Sequence, residues 1–272
     1  MQPRYGLELL PSTYLKFYYS AGRYLQHLYL TYRIDTYQNA SPIWVIPKEK
    51  GENIDATHNI VGMRLEYPKL LINIEGYQKR NTGKIYFFGE QQIINGLNTI
   101  LYHQVSGEEE VNQGVDFLLQ YNTTNFKQLV SYSLSEAKER ISGVNNGAFF
   151  PSFDDQLHRL RITEIVTVKG WTASVNWYFA TGMPYLSSSS TEQLNFAQLP
   201  DFIQLDVSLV KQFDFKYFYA DIGISILNVL NHRNELSVLN YVLPEGSAVH
   251  NVHTISTATS YSPLFYVNLR YE

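Results

Sequence analysis

The segment SPLFYVNLRY, residues 262–271, decides how the chain is read. In an extended strand successive side chains alternate between two faces. Phe265, Val267, Leu269 and Tyr271 share one face, and Tyr266, Asn268 and Arg270 share the other. One face is apolar with an aromatic end; the other is polar. Transmembrane β-barrels end on strands of this kind.

The same period-2 alternation recurs along the chain. It predicts strands at 3–10, 13–21, 58–67, 70–80, 113–122, 126–137, 157–168, 171–181, 203–212, 216–229 and 262–271. Trp171, Ala173, Val175, Trp177 and Phe179 oppose Thr172, Ser174, Asn176 and Tyr178. Leu205, Val207 and Leu209 oppose Gln204, Asp206 and Ser208. In the strand LHRLRITEIVTV, Glu164 falls on the apolar face. Either a bulge turns it inward or it lies near the membrane boundary.

The connections sort strictly. Short turns fall at Pro11-Ser12, Tyr67–Lys69, Asn122–Asn125, Lys169-Gly170 and Phe213–Phe215. Long loops cover 22–57, 81–112, 138–156, 182–202 and 230–261. In an up-and-down barrel this places every long loop at one end, as in outer-membrane barrels. A soluble β-sandwich has no reason to sort its loops this way.

Composition agrees. The 272 residues include 22 Tyr, 15 Phe and 3 Trp, and tyrosine and tryptophan collect at membrane–water boundaries. The formal charge of -4 argues against nucleic acid as a partner. There is no cysteine, so disulfides and thiolate metal sites are excluded. No apolar run of about 18 residues is present, so no spanning helix is expected.

The expected architecture is therefore all-β: an antiparallel up-and-down transmembrane barrel, residues 1–272 forming a single partial barrel domain. Eleven strands is an odd number, whereas bacterial single-chain barrels have even numbers. Eleven is half of 22, the count of the plugged transporters. An open sheet would leave unpaired edges in lipid, which is not tolerated. The start, MQPRYGLELLPS, does not read as a signal peptide, so the chain is expected to be a fragment that needs strands from elsewhere.

Several segments carry a resemblance. PRYGLELLPSTYLKFYYSAGRYLQ and DATHNIVGMRLEYPKLLINIEGYQKR read as successive hairpins, the second preceded by the proline-containing SPIWVIP. FFPSFDDQLHRLRI, GWTASVNWYFATGMPY, LPDFIQLDVSL, DIGISILNVLNHRNE and SPLFYVNLRYE follow in order. Together these resemble the C-terminal half of the barrel of TonB-dependent outer-membrane receptors. The family's plug domain and TonB-contacting box are absent from this sequence, as is the usual terminal aromatic residue.

The resemblance implies a ligand-gated transport receptor rather than an enzyme. It would act in the outer membrane of a Gram-negative bacterium, in uptake of a scarce solute: an iron chelate, a cobalamin or an oligosaccharide. The implied partners are outer-membrane lipid, the plug and the N-terminal strands. Others are the TonB complex (through the absent region), the solute and a lipoprotein lid. No cofactor or metal is implied.

Strand parity nominates Lys16, Arg64, Glu75, Asp116, Arg159, Arg161, Asp206, Asp221 and Arg270 for the lumen, where charges need water or a partner. The resemblance implies that they dock the plug and line the solute path. Loops on a rigid frame carry recognition. They nominate Tyr37, Trp44, Tyr86, Phe87, Phe88, His103, Phe149 and Phe150 as ligand contacts, against the alternative that these rings pack loop on loop.

Catalytic and metal readings are weaker. His250 and His253 form an H-x-x-H pair with His232 nearby, but in a loop rather than on a helix. Glu108–Glu110 lacks the interleaved residues of a calcium loop and reads as a charge run. Asp154, Asp155 and His158 suggest acid–base chemistry, as in a self-contained 10–12-stranded outer-membrane protease or phospholipase. Ser12 and Ser187–Ser190 lie outside any nucleophile elbow. A soluble β binding module is the third reading.

Overall fold

The computed structural model describes residues 2–36, 39–47, 53–95, 97–189, 193–241, 252–257 and 260–271. Nineteen strands are described. They are β1 (Arg4–Leu9), β2 (Leu15–Gln26), β3 (Tyr29–Ile34), β4 (Ala40–Val45), β5 (Ile54–Tyr67), β6 (Leu70–Thr82), β7 (Ile85–Ile94), β8 (Leu97–Asn122), β9 (Phe126–Ile141) and β10 (Phe150–Pro151). There follow β11 (His158–Val168), β12 (Trp171–Ala180), β13 (Pro184–Ser189), β14 (Leu194–Gln198), β15 (Phe202–Asp214), β16 (Phe218–Leu227), β17 (Glu235–Tyr241), β18 (Val252–Thr257) and β19 (Ser262–Tyr271).

Eleven of them form one antiparallel meander, β1-β2-β5-β6-β8-β9-β11-β12-β15-β16-β19. These are the eleven strands predicted from periodicity, in chain order. Register keeps one face apolar from strand to strand. Leu160 pairs with Tyr132 and Phe179, and Ile162 with Val130 and Trp177. Trp177 continues to Leu205, and Ile224 pairs with Phe265.

On β12 the apolar face is the exposed one. Along β12, Trp171, Ala173, Val175 and Trp177 are exposed, while Thr172, Ser174, Asn176 and Tyr178 are half-buried. Phe265 is 77 % exposed. A soluble sheet does the reverse. Leaving side chains of this size in water costs about 1.5–3 kcal/mol each, and a continuous band of them needs lipid. Among the described residues no helix is long and apolar enough to cross a membrane.

Four of the five short turns stand where the sequence predicts them; the one expected at Phe213–Phe215 moves to residues 215–217, because β15 pairs on to Asp214. Lys169 and Gly170 link β11 to β12 with φ of +50° and +74°, the two left-handed residues that a twist-matched hairpin turn requires. Lys211 lies beside this turn on the apolar face. Its ammonium donates to the Lys169 carbonyl at 2.9 Å and lies over the Trp171 ring, so the charge snorkels to the boundary.

Glu164 resolves simply. The ladders of β11 with β9 and β12 run without a bulge, so Glu164 stays on the apolar face. Gln128, opposite it, donates to its Oε1 at 2.7 Å.

The predicted long loops are the main correction. They hold strands of their own, and the wall strands reach into them. β2 continues to Gln26, β5 begins at Ile54, and β8 begins at Leu97 rather than at residue 113. The β3–β4 hairpin joins β7 through a short parallel pairing, Arg33 with Phe87 and Ile34 with Phe88. β7 pairs in turn with the upper part of β8. β13–β14 and β17–β18 are separate hairpins. The physical reason is that these loops carry apolar side chains that water rejects. Tyr32, Ile34, Tyr86, Phe88, Ile141, Phe150, Phe153, Leu186 and Leu194 form a core above the wall.

Candidate functional site

Two surfaces of this frame hold chemistry: the polar face of the wall and the loop assembly above it.

All nine nominated charges lie on the face opposite the apolar band, since register carries one parity across the sheet. Lys16 pairs with Arg64, Glu75 with Asp116, and Arg161 with Tyr178. Most are partnered. Lys16 meets Glu8 at 2.5 Å, and Arg64 meets Glu66 at 3.0 Å. Glu75 accepts from the Tyr18 hydroxyl at 2.6 Å. Arg270 meets Asp221 at 2.6 Å. The Arg161 guanidinium lies over the Tyr178 ring at 5.5 Å. Glu8, Lys16, Tyr18, Arg64, Asn73 and Glu75 together line a hollow of about 270 Å³.

One arrangement was not legible beforehand. Tyr18 is directly opposite Gly62, Tyr77 opposite Gly114, and Tyr266 opposite Gly223. A Cβ on Gly62 or Gly223 would collide with the facing ring. The rings therefore lie across glycines, flat on the polar face, and keep it low. Part of the high tyrosine content belongs here rather than to membrane girdles. Aligning Tyr and Gly across strands would have revealed it.

Asp206 is also spoken for. It accepts from the Asn228 amide N–H at 2.9 Å and from Gln204 at 2.9 Å. Asn228 is fully buried and closes a turn on His232. Asn234 is 1 % exposed. Its side-chain amide receives the Ile203 N–H and donates to the Ile203 carbonyl, both at 2.8 Å. The stretch NVLNHRN is thus a plug of side-chain amides that completes the ladder at the start of β15.

The loop assembly is locked by a buried charge group. Glu139 is fully buried on β9. The Lys84 ammonium and the Tyr86 hydroxyl donate to its two oxygens, each at 2.7 Å, and Ser152 donates at 2.9 Å. Burial alone would lower the Lys84 pKa, but Glu139 and Glu110 outweigh it and raise it. Burial and then Glu139 hold the Tyr86 phenol well above its ordinary range.

Two hollows adjoin this core. The upper, about 190 Å³, lies among Tyr32, Phe153, Asp154, Tyr185, Leu186 and Leu199, with Ala40 and Pro42 from β4 and Leu236 and Val238 from β17. Tyr32 donates to Asp154 at 2.6 Å. Burial and then Asp154 raise the Tyr32 pKa. The lower, about 340 Å³, is lined by Tyr77, Lys79, Glu110, Glu136, Asp155 and Arg159, among others, and it too is bordered by Asp154. Asp154 thus joins the two.

The aromatic candidates divide. Tyr86, Phe88 and Phe150 are buried in the loop core, so they tie loop to loop and present no free surface. Phe87 packs beside Tyr29 and Ile85. His103 stacks near Phe88, and Phe149 lies under the Arg140 guanidinium. Trp44 is 69 % exposed. Tyr37 lies outside the described residues. Tyr32, Phe153 and Tyr185, which line the upper hollow, were not nominated; their loops place them together only in three dimensions.

The catalytic candidates are separated by their partners. Asp154 accepts from Tyr32, Asp155 accepts from the Ala137 amide at 2.8 Å, and His158 Nδ1 meets the Tyr132 hydroxyl at 2.9 Å. Glu108 and Glu109 pair with Arg140, and Glu110 with Lys84. Among the described residues no cluster of three His, Asp or Glu could hold a metal ion. His250 and the side chain of His253 lie outside them.

No known protein-family model matches the chain, and no curated protein sequence does. Solved structures do. The ferripyoverdine receptor of Pseudomonas aeruginosa bound to a heterologous pyoverdine–iron complex aligns with a TM-score of 0.65 at 11 % identity, covering 99 % of this chain and 32 % of that one. The ferric enterobactin receptor of the same organism aligns at 0.63 and 10 % identity, covering 98 % and 39 %. The FrpB iron transporter of Neisseria meningitidis aligns at 0.60 and 9 % identity, covering 99 % and 38 %. This chain thus spans well under half the length of the receptors it matches. At such identity the likeness is one of fold: the chain shares the β-strand wall of these receptors.

Proposed function

We propose that the chain is one wall of an outer-membrane transport receptor, together with the outer loops that receive its solute. One observation carries this reading: across eleven consecutive strands register keeps one face mainly apolar, along β12 that face is the exposed one, and the nine nominated charges lie on the other. On this reading the apolar band meets lipid and the polar face lines a wet lumen. Loop hairpins make the outer vestibule, and the hollow around Tyr32 and Asp154 is where a solute first seats.

The topology supports a need for further strands. β1 and β19 are the free edges of the meander. Ten antiparallel steps separate them, so they run in the same direction. Closure by antiparallel pairing therefore requires an odd number of further strands. Self-closure adds none; a second copy adds eleven, but antiparallel pairing at both edges would force it to lie inverted, with its loops at the opposite end. N-terminal strands of the same receptor would supply them, and the low, tyrosine-flattened polar face leaves room for a plug. A TonB complex would then drive plug movement, and a lipoprotein lid could cover the loops.

Uptake by intact cells tests the reading. Radiolabelled ferric chelates, cyanocobalamin and oligosaccharides are offered to cells with and without the gene that encodes the chain. Saturable uptake of one class is expected, lost on deletion and on collapse of the proton-motive force. Uptake of that class unaffected by both treatments, or no binding of any class, would refute the proposal.

A further inference from the structure

We propose that the upper hollow receives a positively charged organic group, an ammonium or amidinium borne on an apolar body. The inference rests on the receptor reading and adds the charge of the solute.

The hollow's own chemistry carries it. Three aromatic rings line it, Tyr32, Phe153 and Tyr185, with the Tyr32 and Phe153 rings 4.5 Å apart and tilted. Leu186, Leu199, Met183, Pro42 and Pro184 supply aliphatic wall. Rings present negative faces, and several together with a carboxylate make a site that attracts cations. The one charged side chain among the described lining residues is Asp154; none is Lys, Arg or His. A carboxylate accepts up to about four hydrogen bonds, and Tyr32 uses one.

An anionic group entering here would lose water beside a carboxylate and find no cation. A bare metal ion would find one carboxylate, since no three-ligand cluster exists among the described residues. An organic cation meets rings, apolar walls and Asp154 at once. The volume of about 190 Å³ suits one such group rather than a whole chelate. The way down is compatible: Asp154 also borders the lower hollow, where Glu110, Glu136, Asp154 and Asp155 outnumber Lys79 and Arg159.

Three small probes test the assignment on the full protein purified from outer membranes: benzyltrimethylammonium, benzenesulfonate and benzyl alcohol. Saturation-transfer difference NMR reads binding. Benzyl alcohol reports the hollow itself and should be lost when Ala40→Trp fills it. The ammonium should bind at least ~10-fold more tightly than the sulfonate. Asp154→Asn should erase that preference. Tyr32→Phe, which keeps the carboxylate, should retain it, so a general loss of structure is told apart from loss of charge.

A sulfonate that binds as tightly as the ammonium overturns the charge assignment, as does a preference unchanged in Asp154→Asn. In either case benzyl alcohol binding leaves the hollow standing as a seat. If none of the probes binds, or if Ala40→Trp leaves binding unchanged, the hollow is not a seat and both readings of it fall.

Discussion

Glu139→Gln is the most informative perturbation of the loop assembly. The substitution keeps the shape and removes the charge. Glu139 is fully buried and serves Lys84, Tyr86 and Ser152 together. Removing one partner of a buried ion pair typically costs about 3–5 kcal/mol, because the other charge is stranded. Here two features soften the loss. Glu110 remains 3.6 Å from the Lys84 ammonium, and the glutamine carbonyl still accepts one hydrogen bond. The expected cost is therefore about 2–3 kcal/mol, carried by local opening of the loops rather than by the wall. Amide hydrogen exchange in β7 and at Phe150 reads it directly. An opening cost lowered by that amount speeds exchange roughly 30- to 140-fold, while amides of β12 and β15 stay unchanged. The double variant Lys84→Met/Glu139→Leu should recover part of the protection, since the Lys84–Glu139 pair leaves together, although Glu110 loses its cation and the Tyr86 and Ser152 hydroxyls lose their acceptor. A change below about fivefold in the single variant, or a double variant as labile as the single, would refute the argument.

Other consequences can be measured separately. Asn234→Ala strips both hydrogen bonds from the Ile203 backbone and should cost about 2–4 kcal/mol, read as a lower denaturant midpoint for the folded barrel; a shift under 1 kcal/mol would mean water replaces the amide. Spin labels at Val267 and Asn268 in reconstituted vesicles should show opposite accessibility, the first to oxygen and the second to a water-borne relaxant; equal profiles would end the membrane reading. Burial raises the Asp155 pKa, so the folded loop favours its protonated form. Its contribution is then fullest below the ordinary carboxylate range and is lost as pH rises through the raised value. Exchange protection around residues 152–157 should fall over that interval and become flat in Asp155→Asn; a fall that persists in the variant points to another group.

The wall was legible in the sequence, and the loops were not. Period-2 alternation fixes which residues share a face, whatever the partner strand, so Trp171 to Phe179 and Phe265 to Tyr271 could be assigned from order alone. Turn chemistry such as Lys169-Gly170 then sets where the chain reverses. Parity therefore located all nine polar-face charges. It could not say that Asp206 caps the Asn228 turn or that Glu75 receives Tyr18, because those partners sit 22 and 57 residues away.

Loop packing depends on contacts between segments far apart in the chain, and one-dimensional pattern carries no information about them. Tyr86, Phe88 and Phe150 have the same residue types as exposed ligand contacts; only the packing of β3, β7, β10 and β13 against one another buries them. The same packing brings Tyr32, Phe153, Asp154 and Tyr185 to one hollow. Sequence by itself determined the all-β class of the fold and the two faces of its wall, since both follow from local backbone geometry. Tertiary structure alone decided which side chains meet above that wall, because hydrophobic burial is non-directional and its outcome rests on the whole set of loops at once.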